Sequence, residues 1–501
     1  MKFWIAGVIL GALSFTGGMF YQKSRQSEPA APLQEASYHG GFQAGKASKD
    51  QNLRAVPEDS SPRATHDVRN GQSIMAAIKQ AQPGDTVRVF PGTYTETVYI
   101  DKDNIRLQGV IQKGQWPELN GEKRLNDAIL YSGNNIIVEN FRITKYKGNG
   151  IMGQAGNNFE IRNNIIVDTG VYGIFPQLGT NGIVEYNVLS GIEDAAIYVG
   201  MSDHIHVAHN EVFDNVAGIE IENSRHAIVE NNMVYNNTGG ILVFITPGLP
   251  IKTTYDVIVR NNFVTRNNHK NFGAPGSTVA GIPAGTGILV MAADEVIIEN
   301  NIITHNKTAG ILITDHGHAS NITVDEESEP NADKIMILSN LMEHNGYDTI
   351  SDVKALLLTE FKSGNPDIVR VGPSRDSCIN YKDRYITVGV DSFPSCSFTN
   401  TDSIKTYLLD TPAPPRIIDK TNQGKLTYLG ICTGCHSYTG RLIGPPVEKI
   451  QSLYRNNPKA LADFIARPYK KRPDYPEMPP QDYLSEEVRL AVAEYLLKLE
   501  N

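Results

Sequence analysis

Near the end of the chain, residues 429–440 read LGICTGCHSYTG and set Cys432, Cys435 and His436 in a Cys-x-x-Cys-His run. Two thiols at this spacing can add to the two vinyl groups of a haem while the next imidazole ligates its iron, so the run points to one covalently attached haem c. Structural zinc competes for the same residues, but it wants four ligands. The only other cysteines, Cys378 and Cys396, lie upstream of a proline-rich break. A second chemistry is open to Glu193, Asp194, Glu220 and Glu222 with Tyr198, because paired carboxyls can act as acid and base on a polysaccharide. Two histidine groupings carry metal-type donors. In DHIHVAH, strand alternation puts His204 and His206 on one outward face, and DHGHA sets Asp315, His316 and His318 near a turn.

The elements that must position these groups follow a repeat. Asn164, Asn187, Asn210, Asn232, Asn262, Asn301 and Asn340 form a ladder whose first steps are 23, 23 and 22 residues; the later, longer steps read as the same turn with loops inserted. A second column, Ile151, Ile174, Ile197, Ile219, Ile241, Ile288 and Ile311, keeps the same period. Short β-rich runs at a fixed period, with Gly and Asn at the corners, predict a parallel β-helix. No turn buries its own apolar face, but stacked turns bury a continuous Ile/Val core, with the Asn side chains bonding along the stack at left-handed bends. About nine turns give a rod of roughly 40 Å. Ile74, Ala77, Ile78 and Ala81 follow helical spacing and predict a short helix closing the open end.

Two outward columns differ in character. Glu139, Arg162, Glu185, Ala208, Glu230, Arg260 and Glu299 mix signs, which relieves like-charge stacking. Met152, Phe175, Tyr198, Glu220, Leu242, Leu289 and Leu312 form an apolar stripe that should not face water without a reason. Either the loop around 245–285 or the C-terminal unit lies over it, or it is a groove in which Phe175 and Tyr198 stack on a ligand while Glu220 and Glu222 bind its polar groups.

The stretches GIEDAAIYVGMSDHIHVAHNEVFDNVAGIEIENS and NNTGGILVFITPGLP resemble exported bacterial right-handed parallel β-helix repeat proteins, over roughly residues 68–400. The stacking looks, more distantly, like that of pectate lyases, mannuronan epimerases and a copper-enzyme maturation factor with carbohydrate-binding-type repeats. That likeness implies a polysaccharide ligand by fold analogy alone. The Asp-Pro-His-Glu segment of the epimerases is missing from this sequence.

Downstream, GRLIGPP, two helical stretches and YPEMPP resemble a class I c-type cytochrome. The resemblance implies Met478 as the second axial ligand of the haem iron opposite His436, with the carbonyl of Pro445 steadying the His436 ring. Such ligation suits electron transfer rather than oxygen chemistry. Ser437 stands where that family usually has Gly. The last helix carries Leu484, Val488, Ala491, Val492, Tyr495, Leu496 and Leu499 on one face after Ser485, Glu486 and Glu487.

The expected architecture is therefore mainly β: an N-terminal membrane anchor or signal peptide at 1–22, a flexible linker at 23–66, a right-handed parallel β-helix at 67–410, a Pro-rich linker at 411–417 and an all-α cytochrome c domain at 418–501. The apolar run 3–20 behind Lys2 can just span a bilayer, and lacks a well-formed cleavage site. It places the rest on the periplasmic side of a bacterial inner membrane, anchored, or soluble in the periplasm if the run is removed. In that oxidising compartment Cys378 and Cys396 would be bridged, the alternative being two free thiols.

The formal net charge of −9 argues against a nucleic-acid partner. Residues 421–501 hold 11 Lys and Arg against 9 Asp and Glu, and Arg467, Lys470, Lys471 and Arg472 cluster close to Met478, a surface suited to an acidic redox partner protein. Electron transfer through haem c, with the β-helix binding carbohydrate or a protein partner, is the leading expectation. A polysaccharide-modifying enzyme of lyase or hydrolase type on the β-helix, with the haem unit as accessory, is the alternative; a purely spacing role for the rod is a third.

Overall fold

Short strands of two to six residues repeat along most of the chain, each too small to bury an apolar face alone. A computed structural model describes residues 63–322 and 325–500. In it these strands stack into three parallel sheets of twelve, eleven and ten strands, each strand pairing with its equivalent in the turns before and after. The chain is thus a parallel β-helix, longer than the roughly nine turns expected, because turns at both ends pair beyond the seven residues of the Asn ladder. The apolar run at 3–20 and nearly all of the stretch at 24–65 lie outside the described residues. No helix among the described residues is long and apolar enough to cross a membrane.

The Ile column runs in exact vertical register through the eleven-stranded sheet, Ile151 over Ile174, Ile197, Ile219, Ile241, Ile288 and Ile311, all fully buried. The Asn ladder is buried as well. Asn210 Nδ2 donates to Val184 O (2.9 Å), Ala208 O (3.0 Å) and Asn232 Oδ1 (3.0 Å), while its Oδ1 accepts from the backbone and side-chain nitrogens of Asn187 (both 3.0 Å). The ladder residues are not themselves left-handed, as their sequence type suggested. That conformation falls one residue earlier, at Asn163, Tyr186, His209, Asn231, Asn261 and Asn300, which frees each ladder Asn to point inward.

The predicted end helix is α1, Ile74–Gln80, with Ser73 accepting from Ala76 N at 3.1 Å and Ile78 and Ile74 sealing the first turn. The mixed-charge column forms ion pairs: Glu139 holds Arg106 and Arg162, and Glu230 holds Arg260 at 2.7 Å and His206 at 2.9 Å. A second helix, α2 (Ser351–Thr359), lays Val353 and Leu357 against the outer apolar stripe.

After its last strand at Thr387–Val388 the chain turns back. Cys378 and Cys396 are bridged. The segment 396–416 then runs down the outside of the twelve-stranded sheet, against the stacking direction. Thr401 N donates to Glu299 (3.0 Å), Arg260 donates to Thr401 Oγ1 (2.9 Å) and Ile404 O (3.0 Å), and Leu409 N donates to Asn181 Oδ1 (3.0 Å). Lower still, Ala413 N donates to Asn158 Oδ1 (2.7 Å) and Asn157 donates to Pro414 O (2.9 Å). The proline-rich stretch is therefore a strap pinned to the rod. It delivers the helices α3 (Gln423–Thr427), α4 (Val447–Leu453), α5 (Pro458–Ala466) and α6 (Glu486–Lys498) to the side of early turns, not beyond the far end.

Because the buried Asn210 side chain satisfies five backbone or side-chain groups, Asn210→Ala should destabilise the rod by at least about 2 kcal/mol, from groups left unpaired. Thermal unfolding followed by circular dichroism measures this; an unchanged Tm would show that the ladder is dispensable.

Candidate functional site

The C-terminal helices pack around Tyr428, Val447, Leu461, Ile465, Val492 and Leu496. The sequence forms α6 as expected: Ser485 caps it by accepting from Val488 N (3.3 Å), with Glu486 and Glu487 in the first turn. A single π-helical stretch, Tyr428–Cys432, leads from α3 into the Cys-Thr-Gly-Cys-His loop. Cys432 and Cys435 form no disulfide, and both are half-buried. His436 Nδ1 meets the carbonyl of Pro445 at 2.7 Å. This bond fixes the ring and leaves Nε2 for a ligand. Gly444 lies so close that a Cβ there would come within 2.3 Å of His436 Cε1, so the ring position requires glycine. Burial lowers the His436 pKa, keeping the imidazole neutral with its lone pair available.

Two cavities, of about 260 and 140 Å3, meet at Cys432, His436, Ile465, Pro476 and Met478. The smaller is walled by Leu453, Tyr454, Leu461, Phe464 and Tyr469 and reaches Lys470, Lys471 and Arg472. Lys471 sits over the Tyr454 and Phe464 rings, 4.4 Å from each centroid. The larger cavity has a wall that the sequence did not announce. Asp127, Lys147, Asn149, Met152, Tyr172, Phe175 and Glu193 of the β-helix face Cys435 and Met478 across it. Burial raises Asp127 to about 6 while it accepts from Asn149 N (2.9 Å) and Nδ2 (2.8 Å).

The helices dock on the apolar stripe at Phe175, so of the two alternatives the cover, not the open groove, holds there. A Cβ on Gly434 would stand 2.5 Å from Phe175 Cζ, and only glycine allows the loop to press this closely. Gln154 donates to Tyr483 Oη (2.6 Å), and Gln177 donates to Thr433 Oγ1 (2.7 Å). Phe175 and Tyr198 do not await a ligand: they pack on each other, and Tyr198 stacks on Tyr172 with centroids 4.5 Å apart. Farther along, Val279 and Ile282 of the inserted loop cover Leu242, Leu289 and Leu312. Both covers considered from the sequence are therefore present, each over its own part of the stripe.

Beneath Gly434 lie Asp194, Glu220 and Glu222, all buried, around a cavity of about 20 Å3 shared with Tyr172, Tyr198, Leu442 and Ile443. Glu222 accepts from the Tyr198 hydroxyl. Burial pushes Glu222 up to about 7. Burial, reinforced by the Glu222 charge, raises Asp194 well above the carboxylate range; burial and the Asp194 charge do the same to Glu220. Glu193, its neighbour in sequence, is instead exposed and faces the larger cavity.

The histidine groupings are rearranged. His204 takes a left-handed backbone, which breaks the alternation assumed for it. It stacks on His226 (centroids 4.7 Å), whereas His206 binds Glu230. Asp315 Oδ1 accepts from His318, but His316 points away to the Ile245 carbonyl at 2.9 Å, so that trio does not converge.

The model for the right-handed β-helix region matches residues 123–246 and 244–328, and the coil is a right-handed parallel β-helix. No curated protein matches the chain. Among solved structures, the chain is similar to the mannuronan C-5 epimerase AlgE4 A-module of Azotobacter vinelandii (12% identity, 67% of this chain and 87% of that one, TM-score 0.40). It is also similar to DFA-IIIase from Arthrobacter chlorophenolicus A6 (13%, 68% and 100%, TM-score 0.43). A third is the tailspike of E. coli bacteriophage HK620, solved in complex with a pentasaccharide (11%, 64% and 60%, TM-score 0.40).

The raised Glu222 pKa has a stability consequence. The folded state holds this proton more tightly than the unfolded one, so stability falls as pH rises from the ordinary value of 4.5 through about 7. Glu222→Gln should then leave Tm near wild type at pH 4 and raise it at pH 8. Equal Tm values at both pH values would show that the carboxyl is not carried buried.

Proposed function

We propose that the C-terminal helical unit is a class I c-type cytochrome, attaching one haem c through Cys432 and Cys435 and exchanging electrons with a redox partner protein. The observation that carries this reading is the His436 ring: neutral, held at Nδ1 by Pro445, and set in a cavity shared with Cys432, Cys435 and Met478. The zinc alternative loses its extra cysteines, since Cys378 and Cys396 are bonded to each other.

The donor set fits the group. Haem bound there supplies one-electron cycling between ferric and ferrous iron. His436 and Met478 would hold the metal, and Pro445 keeps the imidazole oriented. Ile465, Leu461 and Val492 from the helices, and Met152 and Phe175 from the rod, keep water from the cavity. The basic residues Lys470, Lys471 and Arg472 border the smaller cavity and would steer an acidic partner. On this reading the chain is exported and works on the periplasmic side of a bacterial inner membrane, held there by its N-terminal run.

Expression with the cell's haem-attachment machinery tests this. The expected product is one covalent haem per chain, absent from Cys432→Ala/Cys435→Ala; Met478→Ala should keep the haem and lose the optical signature of Met–iron ligation. A chain exported without covalent haem would sink the reading.

A second reading rests on Asp194, Glu220 and Glu222, three carboxyls whose raised pKa values would let one donate and another accept a proton near neutral pH. It makes the β-helix a polysaccharide-modifying module. The cluster lies under Gly434, so a sugar chain could reach it only with the helical unit lifted. Incubation with a polysaccharide panel that includes polyuronates, followed by chromatography, decides this. New product lost in Glu220→Gln would establish the module as an enzyme; no product from any polymer would leave the carboxyls as part of the docking face.

A further inference from the structure

One corner of the β-helix is built from left-handed residues stacked turn on turn: Asn135, Asn158, Asn181, His204, His226 and Asp256, with φ between +47° and +65°. The backbone requirement alone is met by asparagine, the side chain that tolerates this conformation best after glycine. The early turns use it, with Asn181 donating to Asn158 at 2.8 Å and Asn158 gripping the strap at Ala413 through both its oxygen and its nitrogen. Strap binding therefore does not require histidine either. The later turns nevertheless carry His204, His226, Asp256, Glu295 and Lys334 at this corner, and only the two histidines bring imidazoles to it.

The exchange brings donors together. Asp203 Oδ1 lies 2.7 Å from His226 Nδ1 and 3.7 Å from His204 Nε2, and the three ligand atoms fall within 4.8 Å of one another. Each remaining group is held from behind. His204 Nδ1 meets the Tyr407 carbonyl at 2.6 Å, which fixes its proton there and bares Nε2. His226 Nε2 faces the Asp256 carboxylate at 3.8 Å, and Asp256 in turn accepts from the Tyr407 hydroxyl at 2.5 Å. Arg225 holds the second oxygen of Asp203 at 3.0 Å, aiming the first at the imidazoles. Backing of this kind, a carbonyl bonded to the far nitrogen of His204 and a carboxylate charge facing that of His226, orients metal ligands.

We propose that Asp203, His204 and His226 form a binding site for a first-row divalent metal ion, with Zn2+ or Cu2+ as its chemical type. Two imidazoles and a carboxylate suit such ions and leave a coordination position for water at this half-exposed surface. Because His204 also bonds the strap, the ion would tie the returning segment to the turns beneath it. The site stands apart from the Cys-x-x-Cys-His cavity and does not depend on what that cavity holds.

The test uses the full chain with Cys432 and Cys435 occupied by haem or, failing that, alkylated. Calorimetric titration with Zn2+ should give one site per chain, and excess Zn2+ should raise Tm. His204→Asn and His226→Asn restore the residue that the corner uses elsewhere and so should keep the fold. Each should weaken Zn2+ at least about tenfold and abolish the Tm shift. Electron paramagnetic resonance of the Cu2+ form should show two imidazole nitrogens in the natural chain and one in each variant. No uptake at micromolar Zn2+, equal affinity in the variants, or a Cu2+ signal without imidazole nitrogen would each overturn the site.

Discussion

Everything in this molecule depends on the vertical register of its turns. A parallel strand at the end of a stack leaves a row of backbone groups unpaired, and each added turn satisfies the one before it. The buried Asn ladder makes that register specific: a slip of one residue would leave both the side-chain amides and the backbone nitrogens they receive without partners. Because equivalent residues then stand directly above one another, any departure from the repeat becomes a surface feature several turns long. The apolar stripe, the mixed-charge column and the left-handed corner are all such features.

The rod and the helical unit share one continuous packing problem. Phe175, Tyr172 and Tyr198 cannot face water, and the Cys-Thr-Gly-Cys-His loop closes over them with Gly434 against the Phe175 ring. The same contact buries three carboxyls and gives the larger cavity a β-helix wall. The rod therefore helps to make the site at which the helical unit would act.

Sequence periodicity carried the fold a long way. The Ile and Asn columns, the end helix, the mixed-charge column and the Ser485 cap were legible, because each is a local pattern repeated or a local hydrogen bond. The apolar stripe signalled that something must cover it. What could not be read was which cover lay where, since the pairings of Gln154 with Tyr483 and Gln177 with Thr433 join residues hundreds of positions apart. The strap escaped notice for a similar reason: a proline-rich stretch looks like a linker until the asparagines that bind it are seen. The DHIHVAH grouping misled through alternation, which holds only while the backbone stays extended; His204 is left-handed, so His226 from the next turn replaces His206 beside it.

The returning strap also sets an order of events. Residues made late settle on turns made early, and the contact between Gln154 and Tyr483 closes a span of 329 residues. Contacts of such separation form slowly and only after the intervening chain is placed. The helical unit is synthesised after the far turns, and the strap that leads to it is held at Glu299 and Arg260 on those turns. Until that unit docks, the aromatic face at Phe175 and Tyr198 stands bare on a nearly finished rod, and a chain arrested at that stage would be open to association with its own copies.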